Sequence, residues 1–160
     1  MIKSIISTWH IMTAHFAASI PLIATLLILI GFIARILGYR EFARSLTKPI
    51  HYILILSLLS LLIASASTLI DFPGGTFIAS PFFRMKTILA VAVFPIYSVT
   101  YFMCLVRGVD IWDKWGSLIY TLLLSLVGGG MIIILGSIGG YLSTGHTILE
   151  PILRSLGLPI

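Results

Sequence analysis

Four long apolar stretches dominate this chain, and each could cross a bilayer as a helix. They run from about Ile11 to Leu37, Ile50 to Ile70, Phe82 to Val106 and Ser117 to Leu142. Spanning the hydrocarbon core takes about 20 predominantly apolar residues. A helix is the simplest spanning form because it satisfies its own backbone hydrogen bonds. Of the 160 residues, 59% are hydrophobic and 9% charged, and the mean hydropathy is +1.14. A soluble domain of this size exposes too much surface to hide that much apolar area. The expected fold is therefore all-α: one integral-membrane domain, residues 1–160, built as a four-transmembrane-helix bundle.

The first stretch is too long for a signal-peptide core, and no small-residue cleavage site follows it, so it reads as a retained helix. Past the fourth stretch, Thr147-Ile-Leu-Glu150 has the form of a capping box. Leu149, Ile152, Leu153 and Leu156 then recur at helical spacing, with Glu150 and Arg154 paired on the other face. This predicts a short C-terminal amphipathic helix over about 147–157, lying in the membrane interface.

Lys and Arg are unevenly divided between the two ends of the bundle. Arg35, Arg40, Arg44, Lys48, Arg107 and Lys114 fall at one end, and Lys3, Arg84, Lys86 and Arg154 at the other. The positive-inside rule then puts the first and third connections in the cytoplasm and both termini outside, in a multi-pass protein of the cell membrane. Trp112 and Trp115 are expected in the cytoplasmic aromatic belt and Trp9 in the outer one.

Lipid tails give helices no hydrophobic reason to associate, so small residues mark where they meet. Ser57, Ser60, Ala64, Ser67 and Asp71 form one face of the second span. Ser125, Gly129, Gly136 and Gly140 do the same on the fourth, and Gly136 and Gly140 make a GxxxG pair. These faces suit close helix packing, or a smooth wall for a flat cofactor. Pro21 and Pro95 lie inside the first and third spans and should kink them.

A single cysteine, Cys104, excludes an intramolecular disulfide and Cys-ligated metal clusters. No basic run with interleaved aromatics suggests nucleic acid. Neither a nucleophile–base pair nor a phosphate-binding Gly loop is apparent. The chain contains no Asn and no Gln, a trend of proteins from hot environments, so a thermophilic source is expected.

Ionisable groups at the membrane edge are costly and hence functional candidates. His10, His15, Asp71, Arg84, Lys86 and His146 share the outer end. Imidazole is a common metal ligand and proton carrier. His10 and His15 lie about 140° apart on one helix, so they cannot share an iron. The pair left for a b-type haem is His15 with His146, against the small wall of Gly136 and Gly140. Asp71 could relay protons to a quinone, or simply pair with Arg84 across the Phe72–Phe77 turn. His51, at the other face, reads as a headgroup-level residue.

The opening His10-Ile-Met-Thr-Ala-His15-Phe16 resembles a family of small four-helix membrane domains of unknown function, which opens on His-Pro-x-x-x-His-Phe-Pro. Thr68-Leu-Ile-Asp71-Phe72 is similar to the end of that family's second helix, and Gly139 through His146 to its Gly-rich turn. This chain lacks the prolines after His10 and Phe16, and has Met85 and Lys86 near the family's helix-3 histidine. Some such relatives are joined to Rieske or cytochrome c modules, so the resemblance implies a place near membrane electron transfer.

The leading expectation is a membrane subunit of a respiratory or redox complex that handles quinone or b-type haem near the outer face. Its partners would be the lipid bilayer and other subunits of the complex, among them a Rieske or cytochrome protein. The alternatives are a cofactor-free structural subunit and a small channel or transporter.

Overall fold

The computed structural model describes residues 2–71, 81–144 and 150–155, with side chains over 13–67 and 84–139 and at 151, 154 and 155. Among these residues the chain is helical apart from short turns, without strands. The helices are α1 (Ile2–Ile36), α2 (Arg40–Ser45), α3 (Thr47–Asp71), α4 (Pro81–Arg107), α5 (Trp115–Thr144) and α6 (Glu150–Ser155). A 3-10 turn, Gly108–Trp112, joins α4 to α5.

Four helices (α1, α3, α4 and α5) are long and apolar enough to cross a membrane. Three match the expected spans to within three residues at each end. The first begins earlier, at Ile2, because polar Lys3, Ser4, Ser7 and Thr8 lower the hydropathy there without stopping the helix. The six residues of α6 fall inside the predicted C-terminal helix, while 147–149 and 156–157 lie outside the described residues.

A glycine ends α1. Gly38 takes φ +89, a left-handed conformation that costs glycine little. The Tyr39 N–H donates to the Ala34 carbonyl at 2.8 Å and the Gly38 N–H to the Arg35 carbonyl at 3.3 Å. This is the Schellman pattern, which satisfies carbonyls the helix end would strand. The chain turns directly into α2, which the sequence presents as a charged loop. Pro49 follows within the first turn of α3, where its missing N–H is harmless.

The long helices form a ring in chain order: α1 packs on α3 and α5, and α4 closes the gap between those two. The inward face of α1 is unusually small, with Ala17, Ala24 and Gly31 buried at intervals of seven. Pro21 and Ile28 alternate with them on the same face. Ser57, Ser60 and Ser67 of α3 are buried, so the small face of the second span does serve close packing. Thr13 of α1 and Ser67 of α3 join hydroxyls across that contact at 3.0 Å. Exposed Ile23, Leu26, Ile30, Leu59, Leu62, Val91 and Leu123 leave an apolar perimeter suited to lipid.

Candidate functional site

The described polar side chains gather at three levels. At the end opposite α2, His15 lies two positions from both Thr13 and Ala17, which are buried. Two helical steps are about 200°, so His15 is carried to the opposite face, and it is exposed. Asp71 closes α3, but its side chain lies outside the described residues, as do His146 entirely and the side of Gly140. Gly136 is exposed, with open space where a Cβ would stand. By contrast Gly129, about two turns away on α5, is buried against Thr25 and Leu22 of α1. Of the expected His15–Asp71–His146 trio, then, only His15 has a described side chain, and it faces away from the bundle axis. Arg84 is exposed at the start of α4 and Lys86 half-buried; the expected Asp71–Arg84 pair lies outside the described side chains.

In the middle of the bundle the Tyr97 ring is fully buried. From α4 it reaches across to α1, its hydroxyl 2.9 Å from Thr25 Oγ1 and 3.1 Å from the Pro21 carbonyl. Thr25 Oγ1 also lies 3.0 Å from the Ser125 carbonyl of α5 and 3.2 Å from the Pro21 carbonyl. Each hydroxyl has one proton, so two of these four bonds hold at a time, and the set ties three helices. Glycine makes the room. A Cβ on Gly128 would stand 2.8 Å from the Tyr97 ring, closer than real contacts allow. This polar centre was missed in sequence. Its signal was a tyrosine far from either aromatic belt, with a Gly128-Gly-Gly run free to receive it.

At the basic end, Trp112 is 3% exposed, which corrects its expected place in the lipid-facing belt. Its ring enters a slot on α1, where a Cβ on Gly31 would stand 2.3 Å from the indole. The indole N–H donates to Thr47 Oγ1 at 2.8 Å, and the Trp112 carbonyl accepts from Arg35 Nε at 2.7 Å. Arg35 also stacks over Trp115, 5.2 Å from the ring centroid, and Trp115 meets Phe32 edge-on. Trp115 is about half exposed. Below Trp112 lies a cavity of about 10 Å³, lined by Ile28, Cys104, Leu118 and Thr121 among others. That is room for one water. Cys104 is buried there as a small apolar residue.

Outside this slot, Arg44 donates to Asp113 at 2.8 Å and to Glu41 at 3.0 Å. The Arg44 hydrogen bond, with smaller help from the charges of Arg40 and Arg35, holds the Asp113 carboxyl below its ordinary value. A depressed acid stabilises the fold above its unfolded-state pKa, and that contribution is lost as pH falls through the folded one. Asp113→Asn should therefore lower the melting temperature slightly at pH 7. The gap from wild type should close once pH drops below the carboxylate range, and shrink in high salt. A gap that persists in acid would assign the effect to something other than charge. On the other side, His51 is half-buried with its ring 4.9 Å from Tyr101, whose hydroxyl is 3.5 Å from His51 Nε2. His51 thus makes a helix-to-helix contact between α3 and α4.

Among the described residues the chain is a bundle with four helices long and apolar enough to cross a membrane, which fits a multi-pass membrane protein, with polar ties inside and a basic rim at one end. No family model, no curated protein and no solved structure matches the chain. Among the described residues no three His, Cys, Asp or Glu side chains are grouped as metal ligands.

Proposed function

We propose that this chain is a membrane subunit that works by lateral association within a larger membrane assembly. The observation that carries this reading is the filling of the described interior by the chain's own side chains. Small faces on α1 and α3 meet directly, Tyr97 occupies the centre, and Trp112 closes the basic end. Chemistry therefore belongs to the perimeter and the outer end. A conduit through the middle has less support, because the hydroxyls of Thr25 and Tyr97 are spent on tying helices. The excess of Lys and Arg at the α2 end favours a cytoplasmic location for it, with both termini outside the cell membrane.

A redox form of this reading is favoured by the outward His15 at the membrane entrance of α1. A quinone or b-type haem held by His15 would lie outside the packed bundle axis, against His146 or against a neighbouring chain. Asp71 would serve as proton relay and Gly136 and Gly140 as part of the wall. Such a cofactor would supply the one- or two-electron chemistry of a respiratory complex. The resemblance of the His10–Phe16 segment to domains joined to Rieske or cytochrome modules points the same way.

A photo-crosslinking residue at position 15, introduced in native membranes, tests the association. A discrete crosslinked partner at position 15, with none from the lipid-facing position 26, is expected. A chain that purifies alone, without a crosslink at either position, overturns the reading. In the same preparation, a Soret band or extractable quinone lost in His15→Ala would support the redox form. A colourless, quinone-free preparation would leave the structural form alone standing.

A further inference from the structure

The end of the bundle that carries α2 holds more positive charge than its own carboxylates neutralise. Over residues 35–48 and 107–116 there are six cations, Arg35, Arg40, Arg44, Lys48, Arg107 and Lys114, against Glu41, Asp110 and Asp113. Arg35, Arg40 and Arg44 all bear on the single carboxylate of Asp113. Arg44 is spent on it and on Glu41, and Arg35 on the Trp112 carbonyl. Arg40, Lys48, Arg107 and Lys114 are exposed.

These four are brought to one surface. Arg40 and Arg44 lie one turn apart on α2, and Lys48 stands in the first turn of α3, which begins two residues after α2 ends. The 3-10 turn packs against α2, and Arg107 and Lys114 flank that turn. Beside the cations stand exposed Leu37, Tyr39 and Phe42, of which Leu37 and Tyr39 are each 65% exposed. Apolar and aromatic side chains next to unneutralised cations match the depth at which a bilayer changes from acyl chain to phosphate. Guanidinium and ammonium groups are the natural donors to phosphate oxygens.

We infer that this surface is a binding site for the phosphodiester headgroup of an anionic phospholipid, with Arg40 and Lys48 at its centre and Arg107 and Lys114 at its rim. The acyl chains lie along Tyr39, Phe42 and the adjoining lipid-facing side of α3. The inference is independent of any partner or cofactor.

The test uses the full chain in nanodiscs of phosphatidylcholine, with and without phosphatidylglycerol. Native mass spectrometry should find phosphatidylglycerol retained over phosphatidylcholine, and the melting temperature should rise as its fraction rises. Arg40→Gln with Lys48→Gln should weaken retention roughly 30-fold, from about one surface-charge contribution per residue. The same double variant should melt with wild type in pure phosphatidylcholine, which separates lost binding from lost folding. For wild type, 0.5 M salt should release the lipid. Inorganic phosphate should leave the melting temperature unchanged; an equal rise with it would overturn the lipid assignment in favour of a free anion. Equal retention of the two lipids, or undiminished retention by the double variant, would overturn the site.

Discussion

Replacing Trp112 by alanine is expected to cost about 3–5 kcal/mol of bundle stability, the range for deleting a buried large aromatic. The cost has two parts. A 3% exposed ring is lost from between α1 and α3, and the hydroxyl of Thr47 loses its indole donor. Gly31→Ala probes the same slot from the other wall. Alanine is the better helix former by about 1 kcal/mol, so on propensity alone the change would stabilise. Here the new methyl would collide with the indole, whose N–H is held by Thr47 and whose backbone carbonyl is held by Arg35, so the residue is fixed at both ring and main chain. Overpacking of this kind costs about 1–3 kcal/mol. Denaturant titration of the purified protein, followed by Trp fluorescence, measures both. A Gly31→Ala variant more stable than wild type would mean that the indole does not occupy the slot.

The second large effect is expected at Tyr97. Tyr97→Ala empties the centre of the bundle and should cost about 3 kcal/mol or more. Tyr97→Phe keeps the ring and removes the hydroxyl that approaches Thr25 and Pro21. Hydrogen bonds between membrane helices average about 0.6 kcal/mol and reach about 1.7, so the phenylalanine variant should lose no more than that. The ratio between the two variants separates the packing contribution from the polar one. Equal losses would show that the hydroxyl network, rather than the ring, holds α4 against α1. Gly128→Leu should resemble Tyr97→Ala, because its Cβ would meet the ring at 2.8 Å.

What could be read in advance follows from how each feature is encoded. Spans are encoded by length and apolarity, which hold whatever the neighbours do, so α3, α4 and α5 were placed closely. The buried serine face of α3 was legible because its spacing is that of a helix and small residues have few other uses there. The α1 face of Ala17, Ala24 and Gly31 was as legible and went unread, because Pro21 and Ile28 interrupt it. Reading it would have turned His15 outward at once, since that residue lies between two inward positions. Trp112 was misplaced for a different reason. Tryptophan near a span end is usually a belt residue, and its burial depends on an absent side chain at Gly31, far away in sequence. Helix α2 escaped notice because its six residues, three of them charged, carry no periodic apolar signal, and tertiary contact with the 3-10 turn supports them. For the outer site, the residues that could decide the matter, Asp71 and His146, have side chains outside those described.

The slot at Gly31 also orders events in time. A ribosome delivers α1, α2 and α3 first, so the notch exists before its occupant is made. Trp112 arrives later, with the connection between α4 and α5, and its indole seats against α1 and on Thr47 of α3, both already made. Burial of Trp112 therefore reports contact between parts of the chain made far apart in time, and an exposed indole would mark a bundle whose third connection has not seated on its first hairpin.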